Sequence, residues 1–394
     1  VWDARAVRAI VYVTDVEGRW EKLAGAVDGA LVALEGDALR VAEGAALVFG
    51  GDAIDRGPDG RRILRALLAA KRAQPDRVVL LAGNRDLNKL RLARELTGAP
   101  PARAPSGLPR GELLRWILAR TMGAPEAFEH RRAELGPVHD GRVADSFLED
   151  VQPDGLLTRY LACAQLGFRE GDTLFLHGAV TAENLGVVPG IAERAQSVDG
   201  WLARLDAFLA GELAGFVRGR APDALMDYQR PRPGTSLHQA SVVYGRPIDA
   251  RGDLTLPPRE VIERLRADGI ERVVLGHTPS GDCPSVLRDR AGFQLVLADT
   301  SYGRLEGPSR VVIEDGFVRV EGRTVLDGGE EADVRFAWTG EDLRLGLREP
   351  SSRRLVKAHL ARGDYLTFRT LEGREVEQRA AAPEALDPAA LVPP

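Results

Sequence analysis

Cysteine is nearly absent from the 394 residues; Cys163 and Cys283 are the only two. They lie far apart with no Cys-x-x-Cys spacing, which excludes a disulfide scaffold and a structural zinc site of paired thiolates. Lysine is scarce as well, at four of 53 basic residues. A coding bias toward arginine explains this more simply than a phosphate-reading surface, although the planar guanidinium fork does suit phosphate. No apolar run approaches the roughly 18 residues of a membrane span. The chain as given begins at Val1 and shows no signal-peptide pattern, so the expected location is the cytoplasm. Nor is there an excess of positive charge. With 53 Lys+Arg against 58 Asp+Glu, the formal charge of −5 argues against a nucleic-acid-coating surface, though not against a local basic pocket. Internal repeats are absent too.

What is present reads as a folded chain long enough for one large domain with insertions, or two smaller ones. The first third alternates strands and helices. RAIVYVTD (8–15), AALVFGGD (45–52) and RVVLLAGN (77–84) are β-branched or apolar runs that end at polar residues. Between them, residues 19–34 place Trp20, Leu23, Val27 and Leu31 at helical spacing, and residues 60–73 repeat apolar pairs in the same way. Such strand–helix–strand units imply parallel pairing, with ligands bound outside the carboxyl ends of the strands. A Pro-rich loop (99–109) then opens a helical stretch over 111–135 and 154–167. Further strands follow at DTLFLHG (172–178), ERVVLGH (271–277) and FQLVLADT (293–300), with a helix at 258–268. VVYGRP (242–247) reads as a strand end. The tail is β-rich: SRVVIEDGFVRVEG (309–322) is a hairpin around Asp315-Gly316, and residues 363–378 form a second one. The last dozen residues, rich in Ala and Pro, are expected to be loose.

The strand ends deliver the residue types that hold metals: Asp15 with Glu17, Asp52 with Asp55, Asn84, His177 and His277. Any one of them alone has an ordinary explanation, as a solvated turn or a satisfied core histidine. Their recurrence at successive strand ends is much harder to obtain by chance. Hard oxygen donors mixed with imidazole suit Mn, Fe or Zn rather than a calcium cage.

The motifs DVEG (15–18), GDAIDRG (51–57), GNRD (83–86), LFLHG (174–178) and LGHT (275–278) together resemble the calcineurin-like metallophosphoesterases, especially the protein serine/threonine phosphatase branch. GDAIDRG is the most specific piece, and the resemblance spans about residues 8–325. It implies a four-layer αββα sandwich, an α/β fold, for residues 1–325, with a helical insertion or cap at 90–170 and a small β-rich segment at 326–394. It also implies two divalent metal ions. Asp52 would bridge them, Asp15 and Glu17 would complete the first site, and Asn84, His177 and His277 the second. A metal-activated water would attack phosphorus in line. Arg56 matches an arginine that pairs with phosphate.

Two residues depart from the family pattern. Glu17 stands in place of a histidine ligand, which adds a negative charge and shifts the expected preference toward Mn or Fe over Zn. Arg85 stands in place of the catalytic histidine that pairs with the acid at Asp55. Arginine keeps its proton, so it can bind phosphate but cannot protonate a leaving group. That loss penalises poor leaving groups most and favours aryl phosphates, acyl phosphates and anhydrides. His238 and His139 are substitute acids by residue type, though both read more simply as structural histidines. Arg56, Arg85, Lys89, Arg246 and Tyr302 are the expected substrate-binding residues, with Asn88, Arg19 and Tyr244 as further candidates to line the pocket.

The expected activity is therefore hydrolysis of a phosphomonoester, with Asp55, Arg56 and Arg85 as catalytic residues and a small phosphorylated molecule favoured over a protein. A phosphoanhydride or nucleotide hydrolase is the first alternative. A degenerate module that binds metal and phosphate is the second.

Overall fold

The computed structural model describes residues 7–27, 29–305, 310–338, 341–371 and 375–394. In chain order it opens with β1 (Ala9–Val13), α1 (Trp20–Ala26), β2 (Val32–Glu35), β3 (Ala38–Val41), β4 (Ala45–Phe49), α2 (Gly60–Ala73) and β5 (Val78–Leu80). A run of helices follows: α3 (Asn84–Asn88), α4 (Leu92–Glu95), α5 (Arg110–Thr121), α6 (Ala127–Leu135), α7 (Asp140–Asp150) and α8 (Leu156–Cys163). Next come β6 (Gly167–Glu170), β7 (Thr173–Leu176), α9 (Val198–Val217), α10 (Asp223–Tyr228), α11 (Arg259–Ala267), β8 (Arg272–Leu275), β9 (Ser285–Arg288) and β10 (Gln294–Leu297). Six strands close the chain: β11 (Arg310–Glu314), β12 (Phe317–Val325), β13 (Glu331–Ala337), β14 (Leu355–Leu360), β15 (Tyr365–Thr370) and β16 (Val376–Ala381).

These strands build a mixed α/β fold on two main sheets. One has 9 strands in the order β16-β15-β14-β13-β12-β11-β1-β4-β5, and the other has 5 in the order β6-β7-β8-β10-β9. β1, β4 and β5 pair in parallel, as do β7, β8 and β10. Their residues are buried on both faces, as a parallel sheet covered on both sides requires. Alternation assigns the two faces. Ile10, Tyr12, Ala46 and Val48 share an apolar cluster with Phe175, Val274 and Val296 of the other sheet. The intervening Val11, Val13, Leu47 and Phe49 belong instead to the cluster that holds the buried faces of α1, α2, α8, α9 and α11. Tyr12 stacks on Phe175 at 5.8 Å between ring centroids, so the sheets meet face to face with helices outside. Residues 326–394 supply β13 to β16, which extend the larger sheet. Between β5 and β6 in chain order, α4 to α7 surround an apolar cluster of their own, which includes Leu92, Leu114, Ile117, Phe128, Val143 and Phe147. Among the described residues no helix is long and apolar enough to cross a membrane.

Four expectations need correction. The helix over 19–34 stops at Ala26; Gly29 at φ 44° follows its end, and Val32 and Leu34 go into the β2–β3 hairpin, which turns at Gly36 with φ 62°. The stretch 111–135 is two helices, α5 and α6, separated by a turn with Gly123 at φ 65°. VVYGRP is a turn rather than a strand end, pinned by Gly178 N–H donating to Val242 O at 2.6 Å. The last dozen residues are not loose. Leu386 and Leu391 are buried, Val392 bridges Arg348, and Arg290 donates to Leu391 O at 2.6 Å. The hairpin at Asp315-Gly316 forms as expected, with both residues at positive φ. The turn of the second hairpin, at 372–374, lies outside the described residues.

Phe175 is fully buried between the sheets. Phe175→Ala should cost about 3–5 kcal/mol, visible as a lower urea midpoint at unchanged slope. A loss below about 1 kcal/mol would mean that the sheets do not pack as described.

Candidate active site

Every parallel strand of both sheets ends at the same cleft. Asp15 follows β1, Asp52 follows β4, Asn84 follows β5, His177 follows β7, His277 follows β8 and Asp299 follows β10. The backbone turns sharply there. Asp15, Glu17, Asp52, Asp55 and His277 all take positive φ, at 50°, 48°, 55°, 138° and 56°. Such conformations cost on the order of 1–3 kcal/mol each for a non-glycine residue and persist only where the surroundings enforce them. Two devices enforce them here. The loops after β1 and β4 lie against each other, with Asp15, Glu17 and Gly18 N–H donating to Gly51, Asp52 and Ala53 oxygens at 2.9–3.0 Å. The fully buried Asp86 carboxylate then accepts N–H bonds from Asp52, Ala53 and Gly83 at 2.9–3.0 Å, clamping the β4 and β5 loops together. Gly51, at φ 97°, has no room for a side chain: a Cβ would lie 2.5 Å from Gly83 N.

The cleft, about 280 Å³ in volume, is lined by Asp15, Glu17, Asp52 and Asp299 together with Asn84, Arg85 and His277. These acids are almost fully buried. Burial, then the charges of Asp299 and Asp52, push Asp15 well above the ordinary carboxylate range. Burial also pushes Glu17 up to about 7 against the pull of Arg85, and raises Asp52 against the pull of His177 and Arg85. The resident cations are firmly held. Arg85 Nε lies 2.6 Å from Glu17 Oε1 and 3.5 Å from Asp52 Oδ2, and its Nη1 lies 3.0 Å from Asp55 Oδ2. Burial alone would weaken the hold of Arg85 on its proton; Glu17, Asp55 and Asp52 outweigh it. Arg56 Nη1 pairs with Glu17 Oε2 at 3.2 Å and donates to Ser301 O at 3.1 Å.

A divalent cation fits one side of Asp52. Asp15, Asp52 and His177, all buried, offer ligand atoms within 4.8 Å of one another. His177 Nδ1 lies 2.8 Å from Gly50 O, a pure acceptor, so Nδ1 carries the hydrogen. In the neutral ring Nε2 then turns a lone pair toward Asn84 Oδ1 at 3.2 Å and Asp52 Oδ1 at 3.4 Å. A cation held between these three atoms would find a donor on each side. The His277 ring lies 5.3 Å from that of His177, between it and Tyr244 at 4.8 Å.

The structure distributes the remaining expected residues unevenly. Tyr302 lines the cleft, its hydroxyl accepts from Arg85 Nη2 at 3.3 Å, and its ring lies under Arg56 at 4.4 Å. Arg246, Tyr244 and Asn88 also line the cleft, and Arg91, Thr121, Met122 and Gly123 reach its rim from the helical stretch. Arg56 faces an adjoining recess with Arg19 and Lys22. Lys89 stands apart from the cleft. It is buried, its Nζ is 2.8 Å from Asp55 Oδ1, and burial lowers its pKa despite that partner. Its charge faces Asp55. His139 caps α7 by accepting from Arg142 N at 3.2 Å, and His238 Nδ1 meets Arg230 O at 2.9 Å. Neither lines the cleft.

Three residues gained no role from the sequence. Lys22 is buried beneath the site, donates to Asp15 O at 2.8 Å, and faces the charges of Asp299, Asp15 and Glu17. Asp299, read from the sequence only as part of the segment FQLVLADT, is a fourth acid of the cleft. Asp86 is the clamp described above. A signal for Lys22 did exist: three of the four lysines, Lys22, Lys89 and Lys357, are buried.

No family model matches the chain, and no curated protein matches it. Among solved structures it is similar to a cold-active protein-tyrosine phosphatase from a psychrophilic Shewanella species. Identity is 16% over 83% of this chain and 80% of that one, with a TM-score of 0.47. It is also similar to a protein serine/threonine phosphatase from Saccharomyces cerevisiae, at 13% identity over 78% and 73% of the two chains and a TM-score of 0.38. Likeness this distant leaves the functional reading to the residues of the cleft.

Asp86→Ala removes the acceptor of three buried N–H groups. It should cost at least about 3 kcal/mol and weaken Mn²⁺ binding measured by calorimetry, because the loops carrying Asp52 and Asn84 lose their clamp. Unchanged metal affinity in a folded Asp86→Ala protein would show that the loops hold their shape without it.

Proposed function

We propose that this chain is a metal-assisted phosphatase acting on a phosphomonoester whose leaving group departs without a proton. The observation that carries the proposal is the convergence of Asp15, Asp52 and His177 ligand atoms within 4.8 Å beside the Arg85 guanidinium. Asp52, Asn84, His177 and His277, with Asp15 alongside, would hold the cation. Their mixture of oxygen and imidazole donors favours Mn or Fe, with Zn possible. A cation bound there would polarise a phosphoryl oxygen and bring the pKa of water into the neutral range.

The chain's own residues supply the rest. Arg85 and Arg246 offer fixed positive charge to phosphoryl oxygens, and Tyr302 lines the cleft beside Arg85. Asp55 and Glu17 hold Arg85 in place. A histidine at position 85 would be a proton donor, but Arg85 keeps its proton throughout the working range. General-acid help of about 10²–10⁴-fold is then forgone, which favours aryl and acyl phosphates over alkyl ones. The cleft volume, with Tyr302, Met122 and Pro231 among the lining residues, favours a small substrate. Arg91, Arg230 and Arg246 at the same rim support a second reading, hydrolysis of a phosphoanhydride, because they offer charge for a second phosphate.

With Mn²⁺, p-nitrophenyl phosphate should be turned over, and Asp52→Asn should lower the rate at least about 100-fold. Across a substrate series the rate should fall steeply as the leaving-group pKa rises. A flat series would place a proton donor in the cleft after all. Absence of turnover across esters and anhydrides alike would leave a phosphate-binding module in place of an enzyme.

A further inference from the structure

The expected two-metal arrangement meets an obstacle on one side of Asp52. Glu17, which would complete the first metal site with Asp15 and Asp52, has both oxygens engaged: Oε1 by Arg85 Nε at 2.6 Å and Oε2 by Arg56 Nη1 at 3.2 Å. Arg85 Nε is also 3.5 Å from Asp52 Oδ2. The guanidinium therefore lies between the two carboxylates that would have to share that metal. We infer that the chain holds a single divalent cation, and that the Arg85 guanidinium takes the place of a second. The inference rests on the metal-assisted reading above.

The two sides of Asp52 differ in what they lack. On the Oδ1 side, His177 Nε2 and Asn84 Oδ1 turn their donor atoms toward one another and toward Asp52. On the Oδ2 side the cation is already part of the chain. Its anchoring is extensive: Arg85 N–H donates to Asp52 Oδ1 at 2.8 Å, Nη1 pairs with Asp55, and Nη2 donates to Tyr302. The side chain is only 12% exposed, so water cannot readily replace those partners. A second metal would have to break the Glu17 and Asp52 pairs and leave a guanidinium poorly matched in a buried site.

Charge balance points the same way. Counted as ionised, the carboxylates of Asp15, Glu17, Asp52, Asp55, Asp86 and Asp299 face the cations of Lys22, Arg56, Arg85 and Lys89 and leave two net negative charges. One dication balances them. A second would leave a positive site with no acid to spare. Arginine cannot shed its proton to make room, as a histidine there could. The two departures then act as a pair: Glu17 is the partner that Arg85 needs, and together they form an internal salt bridge where an external metal would bind.

The test is metal stoichiometry. Metal-free protein should take up about one Mn²⁺ per chain in equilibrium dialysis with elemental analysis, and show the six-line electron paramagnetic resonance spectrum of an isolated Mn²⁺. The Glu17→His plus Arg85→His double variant should take up about two, with an exchange-coupled spectrum; Arg85→Gln alone serves if the double variant does not fold. Two coupled ions in the unaltered chain would overturn the inference and leave the metal-assisted reading intact. A folded variant still limited to one ion would overturn the role given to Arg85. No bound metal in the unaltered chain would overturn both the inference and the metal-assisted reading.

Discussion

Four acids buried at the mouths of six parallel strands set the terms for everything else in this cleft. Asp15, Glu17, Asp52 and Asp299 are each nearly inaccessible to water. Two like charges at the 4.8 Å spacing of the Asp15, Asp52 and His177 group repel by about 3–4 kcal/mol even at an effective dielectric of 20. Such a cluster is stable only if it takes up protons, is matched by resident cations, or binds an added one. The raised Asp15, Glu17 and Asp52 express the first tendency. Arg85, Arg56 and Lys22 provide the second. The acceptors left facing one another at Asn84, His177 and Asp52 define where the third applies.

The same constraint explains where strain accumulates. Of the seven non-glycine residues at positive φ among those described, five are in this site. A strand running on in extended geometry would carry its terminal acid away from the cleft; a left-handed turn directs it back toward its neighbours. The cost is offset by bonds that only this arrangement makes. The Asp86 clamp ties the β4 and β5 loops together, and His277 N donates to Asp15 Oδ2 at 3.1 Å, joining one sheet to the other. The two-sheet core beneath, centred on Tyr12 and Phe175, gives those loops a fixed base. Rigid sheets and strained loops are thus parts of one device that holds opposing charges at fixed separations.

Much of this could be read from the sequence, for identifiable reasons. Strands buried on both faces show as unbroken apolar runs, and the polar residue that ends each run marks the carboxyl end. Asp15, Asp52, Asn84, His177 and His277 were therefore legible, because strand identity and site position are encoded in the same few residues. Helix limits set by tertiary packing were not. The apolar face of α1 continues in register through Leu31, yet glycine at 29 and 36 turns that stretch into a hairpin. The tail failed for a different reason: Ala and Pro suggest looseness, but Leu386 and Leu391 find a ready-made apolar surface. Lys89 shows the limit of reasoning by proximity. One helical turn beyond Asn84 it was expected to face substrate, yet Asp55 draws its ammonium inward. The rarity of lysine held information that coding bias obscured. In a chain that uses arginine almost everywhere, Lys22, Lys89 and Lys357 occupy buried sites where a compact ammonium meets one to three oxygens.

Replacing a metal by a guanidinium changes more than a count of ions. A metal exchanges with solvent, competes with other metals and activates its own water, whereas an arginine does none of these. What the arginine offers is a permanent charge whose geometry is fixed by three carboxylates and a tyrosine. A cleft built this way gives up part of its capacity to generate a nucleophile and all of the proton donation a histidine would provide. In return, on the single-cation proposal, part of its positive charge no longer depends on metal supply. That exchange suits a substrate already inclined to break, for which binding and charge neutralisation matter more than assistance to the leaving group. Position 85 therefore links the number of metals to the class of substrate through one side chain.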